Sequence, residues 1–185
     1  MGKILKYKNG MLIEYEILKL VDFYDPILRT PTNTYNFFLR KDAEYITHSL
    51  VETMTHYGGL GLSANQVGLK DRVCVVNFGN QAWVMFNPQI IEKSDTISNY
   101  QEGCLSYPGL YINCKRRDHI KVRFQAIGGQ FVEQGFDGLT AVCVQHELDH
   151  LDGIVYTSRI SPINLEKAKR KVKKNLKKMA RMRIA

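Results

Sequence analysis

The chain has 185 residues, of which 44% are apolar and 24% charged. That is enough for one domain with a buried core, and too evenly mixed for a disordered or fibrous protein. Its formal charge of +8 is unevenly spread. Eleven Lys and Arg and the single carboxylate Glu166 fall from Arg159 onward, so a tail of +10 follows a body of −2.

No run approaches the roughly 18 consecutive apolar residues of a membrane span. The opening residues have neither the apolar stretch of a secretory signal nor, with Lys6 in place of Ser or Thr, a myristoylation pattern. A cytoplasmic protein with no membrane role is the expectation.

Residues 1–16 read as a hairpin around Asn9-Gly10, a dipeptide suited to a type I′ turn. Asp25-Pro26 through Thr30-Pro31 reads as extended chain. Ala43, Ile46, Leu50, Met54 and Tyr57 recur at steps of three and four, which predicts an amphipathic helix opened by Asp42 and closed by Gly58-Gly59. Short strands are predicted over 72–77 and 82–86, and the run from Gln101 to Gly109, with its glycines and proline, reads as a loop. Ile120, Val122 and Phe124 alternate as a third strand, followed by Gly128-Gly129 and another strand over 131–136.

From Leu139 to about Leu151 a second helix is apolar on most faces and belongs in the core. Ser161-Pro162 then opens a last helix, with Leu165, Ala168, Val172, Leu176 and Met179 as a narrow apolar stripe among Lys and Arg. Cys74, Cys104, Cys114 and Cys143 include no C-x-x-C pair, so reduced thiols are expected. The fold class predicted is α+β: a compact single domain with antiparallel strands around a central metal-binding helix, plus a C-terminal helix. Three segments are drawn: an extension over 1–16, a catalytic domain over 17–160 and a basic helix over 161–185.

The chemistry begins with His146-Glu147-Leu148-Asp149-His150 on the central helix. Residues i and i+4 share a helix face, so both imidazoles can reach one metal ion, with the glutamate beside it to take a proton from water. A hydrolytic site needs a third ligand and an open position. One class of zinc peptidases supplies a histidine where this chain has Tyr156, and no histidine follows His150. Asp152 and Glu166 are badly placed, so the third ligand is expected upstream.

Cys143 shares the face of His146 but lies about 10 Å along the axis from His150, at about 1.5 Å per residue, too far for a thiolate bond. Cys104, in Gln101-Glu102-Gly103-Cys104-Leu105-Ser106, is free to be aimed at a helix, although on this stretch alone a structural thiol is the commoner reading. Gly59-Leu60-Gly61-Leu62-Ser63-Ala64-Asn65-Gln66 matches a dinucleotide fingerprint in letters, but it follows a helix rather than a strand, so that reading fails. Its glycines suit close approach of a substrate backbone, and Gln66 offers an amide donor.

Taken together, G-L-G-L-S-A-N-Q, E-G-C-L-S and Q-H-E-L-D-H resemble, in order and spacing, the three signature motifs of peptide deformylases. The resemblance runs from about Ile17 through Arg159. It implies hydrolytic removal of the formyl group from the N-terminal formyl-methionine of newly made polypeptides. It also implies one divalent metal held by Cys104, His146 and His150, with Fe2+ usual and Zn2+, Ni2+ or Co2+ as other candidates. Glu147 is then the general base, and the Leu105 N–H and the Gln66 amide stabilise the oxyanion. Gly59, Leu60 and Gly61 approach the substrate, and Leu139, Val142 and Cys143 join Leu60 in an apolar slot for the methionine side chain.

Glu102 is expected to be held by an arginine such as Arg116. Ser63 and Asn65 stand where many relatives carry alanine and threonine. The basic tail points to the ribosome or ribosomal RNA as a partner, and a monomer is expected. An H-E-x-x-H metallopeptidase, and an RNA-binding or ribosome-binding module built on the tail, are the rival readings.

Overall fold

Val73-Cys74-Val75-Val76 is fully buried in the computed structural model, which describes residues 4–8, 10–78 and 81–182. Successive side chains of a strand point to opposite faces, so this run must be covered on both sides, and the fold is built around that requirement. In chain order, β1 (Ile4–Lys8) and β2 (Met11–Tyr15) form an antiparallel hairpin. Helix α1 (Ala43–His56) follows, then β3 (Gly61–Ser63), a 3₁₀ turn over Ala64–Val67, β4 (Val73–Phe78) and β5 (Gln81–Lys93). Next come β6 (Ile97–Cys104), β7 (Tyr107–Arg117), β8 (His119–Gln125) and β9 (Phe131–Asp137). The chain ends with α2 (Gly138–Leu151), a 3₁₀ turn over Tyr156–Arg159 and α3 (Pro162–Met182).

The main sheet has the order β3-β4-β5-β8-β9, and β6-β7 and β1-β2 stand as separate two-stranded ribbons. All named pairs are antiparallel. On one face of β4, Cys74 and Val76 join Met85, Ile120, Val122 and Phe136 against Ala141, Val144, Leu148 and Leu151 of α2. On the other, Val73 and Val75 pack with Leu62 and Phe86 against Ile46, Leu50 and Met54 of α1. A third cluster lays Leu165, Ala168 and Val172 of α3 on Leu110, Ile112 and Cys114 of β7, with Tyr156 between. An amphipathic stripe thus docks the start of the basic helix.

The architecture is the α+β domain that the alternation and helix periods predict. Helix α1 starts after Asp42 as read, and α2 begins one residue earlier than expected, at Gly138. Ser161 caps α3 through its Oγ, which accepts from the Asn164 N–H at 3.4 Å. Three expectations need correction. Pro26–Arg29, read as extended chain, is a 3₁₀ turn capped by Asp25, whose Oδ1 accepts from the Ile27 N–H at 3.0 Å. The 82–86 strand extends to Lys93, because Asn87, with φ 52°, makes a bulge that carries the pairing past Pro88. The run 101–109 is not a loop but the end of β6, a tight turn and the start of β7. Asn9, half of the predicted hairpin turn, lies outside the described residues. So do residues 1–3 and 183–185 and the side chains of Leu176 and Met179. After the hairpin, the Glu16 N–H donates to Ser49 Oγ at 3.0 Å and the Leu18 N–H to Thr53 Oγ1 at 2.9 Å, tying the chain to α1.

Candidate active site

One face of α2 borders a cavity of about 590 Å³ whose other walls are the chain around Gly59–Gly61 and the β6-β7 turn. Of the site residues read from the sequence, Gly59, Leu60, Gly61, Gln66, Cys104 and Leu105 line it from one side. Leu139, Val142, Cys143, His146 and Glu147 line it from α2. His150, fully buried, lies one helical turn beyond His146 with the ring centroids 5.0 Å apart.

Cys104, the last residue of β6, meets these two histidines. One donor atom from each of the three residues falls in a cluster with no separation above 4.8 Å, and Cys104 Sγ is 3.2 Å from His150 Nε2. Cys143 borders the cavity but is not in this cluster, and burial pushes its thiol well above the ordinary value. Tyr156, where a zinc peptidase would have its histidine, is a buried ring packed 5.3 Å from that of His146, with its hydroxyl donating to the Leu110 carbonyl.

The two histidines have different surroundings. His146 Nδ1 lies 2.8 Å from Glu102 Oε2, which leaves Nε2 for the cluster. Burial chiefly, then His146 and Arg116, pushes His150 well below its ordinary pKa, so its ring is neutral with a lone pair to offer. Its Nδ1 and the Glu147 Oε2 are buried without a hydrogen-bond partner among the described residues. One cysteine sulfur and two imidazoles, beside an unsatisfied carboxylate oxygen, form a donor set that fits one divalent transition metal with an open position.

Glu147 is raised to about 7 by burial above all, against the pull of His146 and Ser63. Its carboxylate packs directly on Gly61, where a Cβ would overlap it. The sequence reading took that glycine as room for a substrate, and the structure adds the Glu147 side chain as a reason for it. Gly59 is constrained in a similar way, since a Cβ there would stand 2.7 Å from Leu105 Cδ1.

Gln66 is oriented by its local fold. Its Oε1 accepts from both the N–H and the hydroxyl of Ser63 at 2.9 Å. The amide nitrogen must therefore point the other way, toward Cys104 Sγ at 3.4 Å and Ser106 Oγ at 3.1 Å. Asn65 Nδ2 donates to the His150 carbonyl and braces the end of the ligand turn. Ser63 and Asn65, the two departures from the commoner pattern, thus both make bonds that position site residues.

Behind the cluster runs a buried ionic chain. Arg116, only 3% exposed, holds Glu102 through two bonds of 2.6 and 2.9 Å and Asp149 through a third of 2.6 Å. Asp149 is also paired with Arg159. The Glu102–Arg116 pair is the one expected from the sequence. Asp149 and Arg159 were missed, although Asp149 sits inside the H-E-L-D-H run.

The family model described as polypeptide deformylase matches residues 17–166. The chain belongs to the peptide deformylase family. A peptide deformylase of Thermotoga neapolitana is 39% identical over 143 residues, covering 76% of this chain and 85% of the relative. The crystal structure of peptide deformylase from Thermotoga maritima superposes with a TM-score of 0.76 at 36% identity, covering 80% of this chain and 99% of that one. A class I type b peptide deformylase from Acinetobacter baumannii, crystallised with Met-Ala-Ser bound, gives 0.74 at 30% identity over 78% of this chain and 99% of that one. This chain is accordingly a metal-dependent hydrolase that removes the formyl group from the N-terminal formyl-methionine of new polypeptides. No helix among the described residues is long and apolar enough to cross a membrane.

Proposed function

We propose that Cys104, His146 and His150 hold the single divalent ion of this hydrolase, with Glu147 as general base and Gln66 and the Leu105 N–H as oxyanion donors. The observation that carries this is the convergence of one sulfur and two imidazoles beside a buried, unpartnered Glu147 oxygen. When bound, the ion supplies a Lewis acid and a water whose pKa falls toward about 7. Thiolate with two imidazoles suits Fe2+, the choice favoured by resemblance, and accommodates Zn2+, Ni2+ or Co2+.

The chain's own groups do the rest. Glu147 takes the proton of the attacking water and passes it to the departing amine, a task its elevated pKa suits at neutral pH. Gln66 Nε2, fixed in direction by Ser63, and the Leu105 N–H donate where negative charge develops on the formyl oxygen. Strand β3 ends the main sheet, so Gly59, Leu60 and Gly61 border an edge along which an extended peptide backbone can pair. Leu60 and Leu139, 59% and 63% exposed at the mouth, with the buried Val142 and the partly buried Cys143 below, form the slot for the methionine side chain.

The test is formate release from a formyl-Met tripeptide by protein purified without oxygen and loaded with Fe2+. Glu147→Gln should lose about 10³-fold in kcat while keeping one ion per chain, and Cys104→Ser should lose the ion itself. Full activity in Glu147→Gln would overturn the assignment of the base.

The second partner reading is ribosomal RNA. Lys167, Arg170, Lys171 and Lys174 are exposed on α3 while Leu165, Ala168 and Val172 of its apolar stripe are docked. Action in the cytoplasm by a monomer fits a substrate that emerges from ribosomes. Replacing these four by Gln should weaken ribosome binding and flatten its salt dependence by about 0.9 per lost phosphate contact, and an unchanged slope would remove the tail from this role.

A further inference from the structure

A second cavity, of about 490 Å³, opens on another face of α2, bordered by Gln145, Leu148, Asp149 and Asp152 rather than by the ligand face. Its walls carry five cations, Arg72, Lys115, Arg116, Arg117 and Arg159, against those two aspartates. The aspartates are already committed. Asp152 pairs with Arg72 at 2.6 Å, and Asp149 is shared by Arg116 and Arg159. Glu102 completes the compensation of Arg116.

Two positive charges are left over. Among the described residues Lys115 has no ion-pair partner, and Arg117 Nη1 donates only to the backbone carbonyls of Ser94 and Asp95. Uncompensated like charges gathered in one concavity repel each other and attract a counter-charge. Guanidinium groups also match the oxygen geometry of phosphate better than that of a halide ion. Ile90, Ile97 and Leu148 give the cavity an apolar wall, and its volume falls in the range of small-molecule sites.

We infer that this cavity binds a phosphate dianion, free or as the terminal group of a small ester, through Lys115 and Arg117. Two leftover positive charges match a dianion, and the apolar wall leaves room for an organic body. The site is separate from the deformylase cavity and borders the ionic chain behind it through Arg116, Asp149 and Arg159.

Calorimetric titration of the metal-loaded full chain with inorganic phosphate and with a nucleoside monophosphate, at ionic strength matched with sodium chloride, tests it. One equivalent should bind, and Lys115→Gln/Arg117→Gln should weaken it by about tenfold or more while formate release is unchanged. Tighter binding of the monophosphate assigns the ester as ligand, and equal binding assigns the free ion. Absence of binding above the chloride control would overturn the inference. So would binding that survives in the double variant, or that is lost instead in Lys167→Gln/Lys171→Gln/Lys174→Gln, which would move the anion to α3.

Discussion

Glu102 Oε2 lies 2.8 Å from His146 Nδ1, and this contact decides which ring nitrogen faces the ligand cluster. A histidine that spends Nδ1 on a carboxylate presents Nε2 in a fixed direction and with raised basicity. Glu102→Ala should therefore lower metal affinity by about 10- to 100-fold without touching a ligand. Glu102→Gln, which can still accept from Nδ1–H, should lose less. Chelator competition reads both, and equal affinity across the three proteins would remove Glu102 from this role.

The same carboxyl sets an acid limit on stability. Burial alone would raise it, but hydrogen bonds from Arg116 and His146 outweigh burial and hold it at about 2, below the ordinary 4.5. A group whose folded pKa is depressed stabilises the fold above its unfolded value and loses that contribution as pH falls through the folded one. The Glu102 contribution, on the order of 3 kcal/mol, should be complete above about pH 4.5 and fade toward pH 2. Urea unfolding between pH 2 and 6 should show this slope, and Glu102→Gln should flatten it.

Gly61→Ala tests the packing of the base. The added Cβ overlaps the Glu147 side chain, which has the core behind it and can only be displaced. Formate release should fall by about 10²-fold, for a loss of stability of about 1–3 kcal/mol. A variant as active as the parent would mean that Glu147 tolerates a wider range of positions than a proton-transfer role allows.

The sequence reading recovered the elements whose pattern reflects a single environment. Helix α1 has one apolar stripe, α2 is apolar nearly all round because the sheet and the cavity enclose it, and β8 alternates cleanly. It missed the β6-β7 ribbon, although Leu110, Ile112, Cys114 and Arg116 alternate with exposed residues as a strand should. The pattern was hidden because its fourth inward residue is an arginine, whose burial makes sense only once Glu102 and Asp149 are brought to it from elsewhere in the chain. The three proposed ligands were legible because a helix fixes the histidine spacing locally and motif order supplied the cysteine. Ser63 and Asp149 were not, since their roles are hydrogen bonds that depend on tertiary placement.

Asn87 gives a prediction about the fold. Its left-handed backbone is accompanied by side-chain bonds to both the N–H and the carbonyl of Tyr35 and to Gln125 Oε1, at 2.7, 2.9 and 2.8 Å. Asn87→Ala loses all three and keeps the strained backbone, and should cost about 2–4 kcal/mol. Asn87→Gly relieves the backbone alone and should recover about 1 kcal/mol of that. Thermal unfolding of the pair separates the two contributions, and an alanine variant as stable as the parent would show that the bulge holds itself.

Strand β3 spans only Gly61 to Ser63 at the end of its sheet. Leu62 and Ser63 are fully buried, so the edge open to the cavity is Gly59 to Gly61, roughly 10 Å of chain, and a peptide paired along it as proposed would be gripped over about its first three positions and no further. Everything downstream trails into solvent unread. An enzyme that must serve nearly every newly made polypeptide needs this indifference, and a short edge provides it without any device for rejecting the sequences that follow.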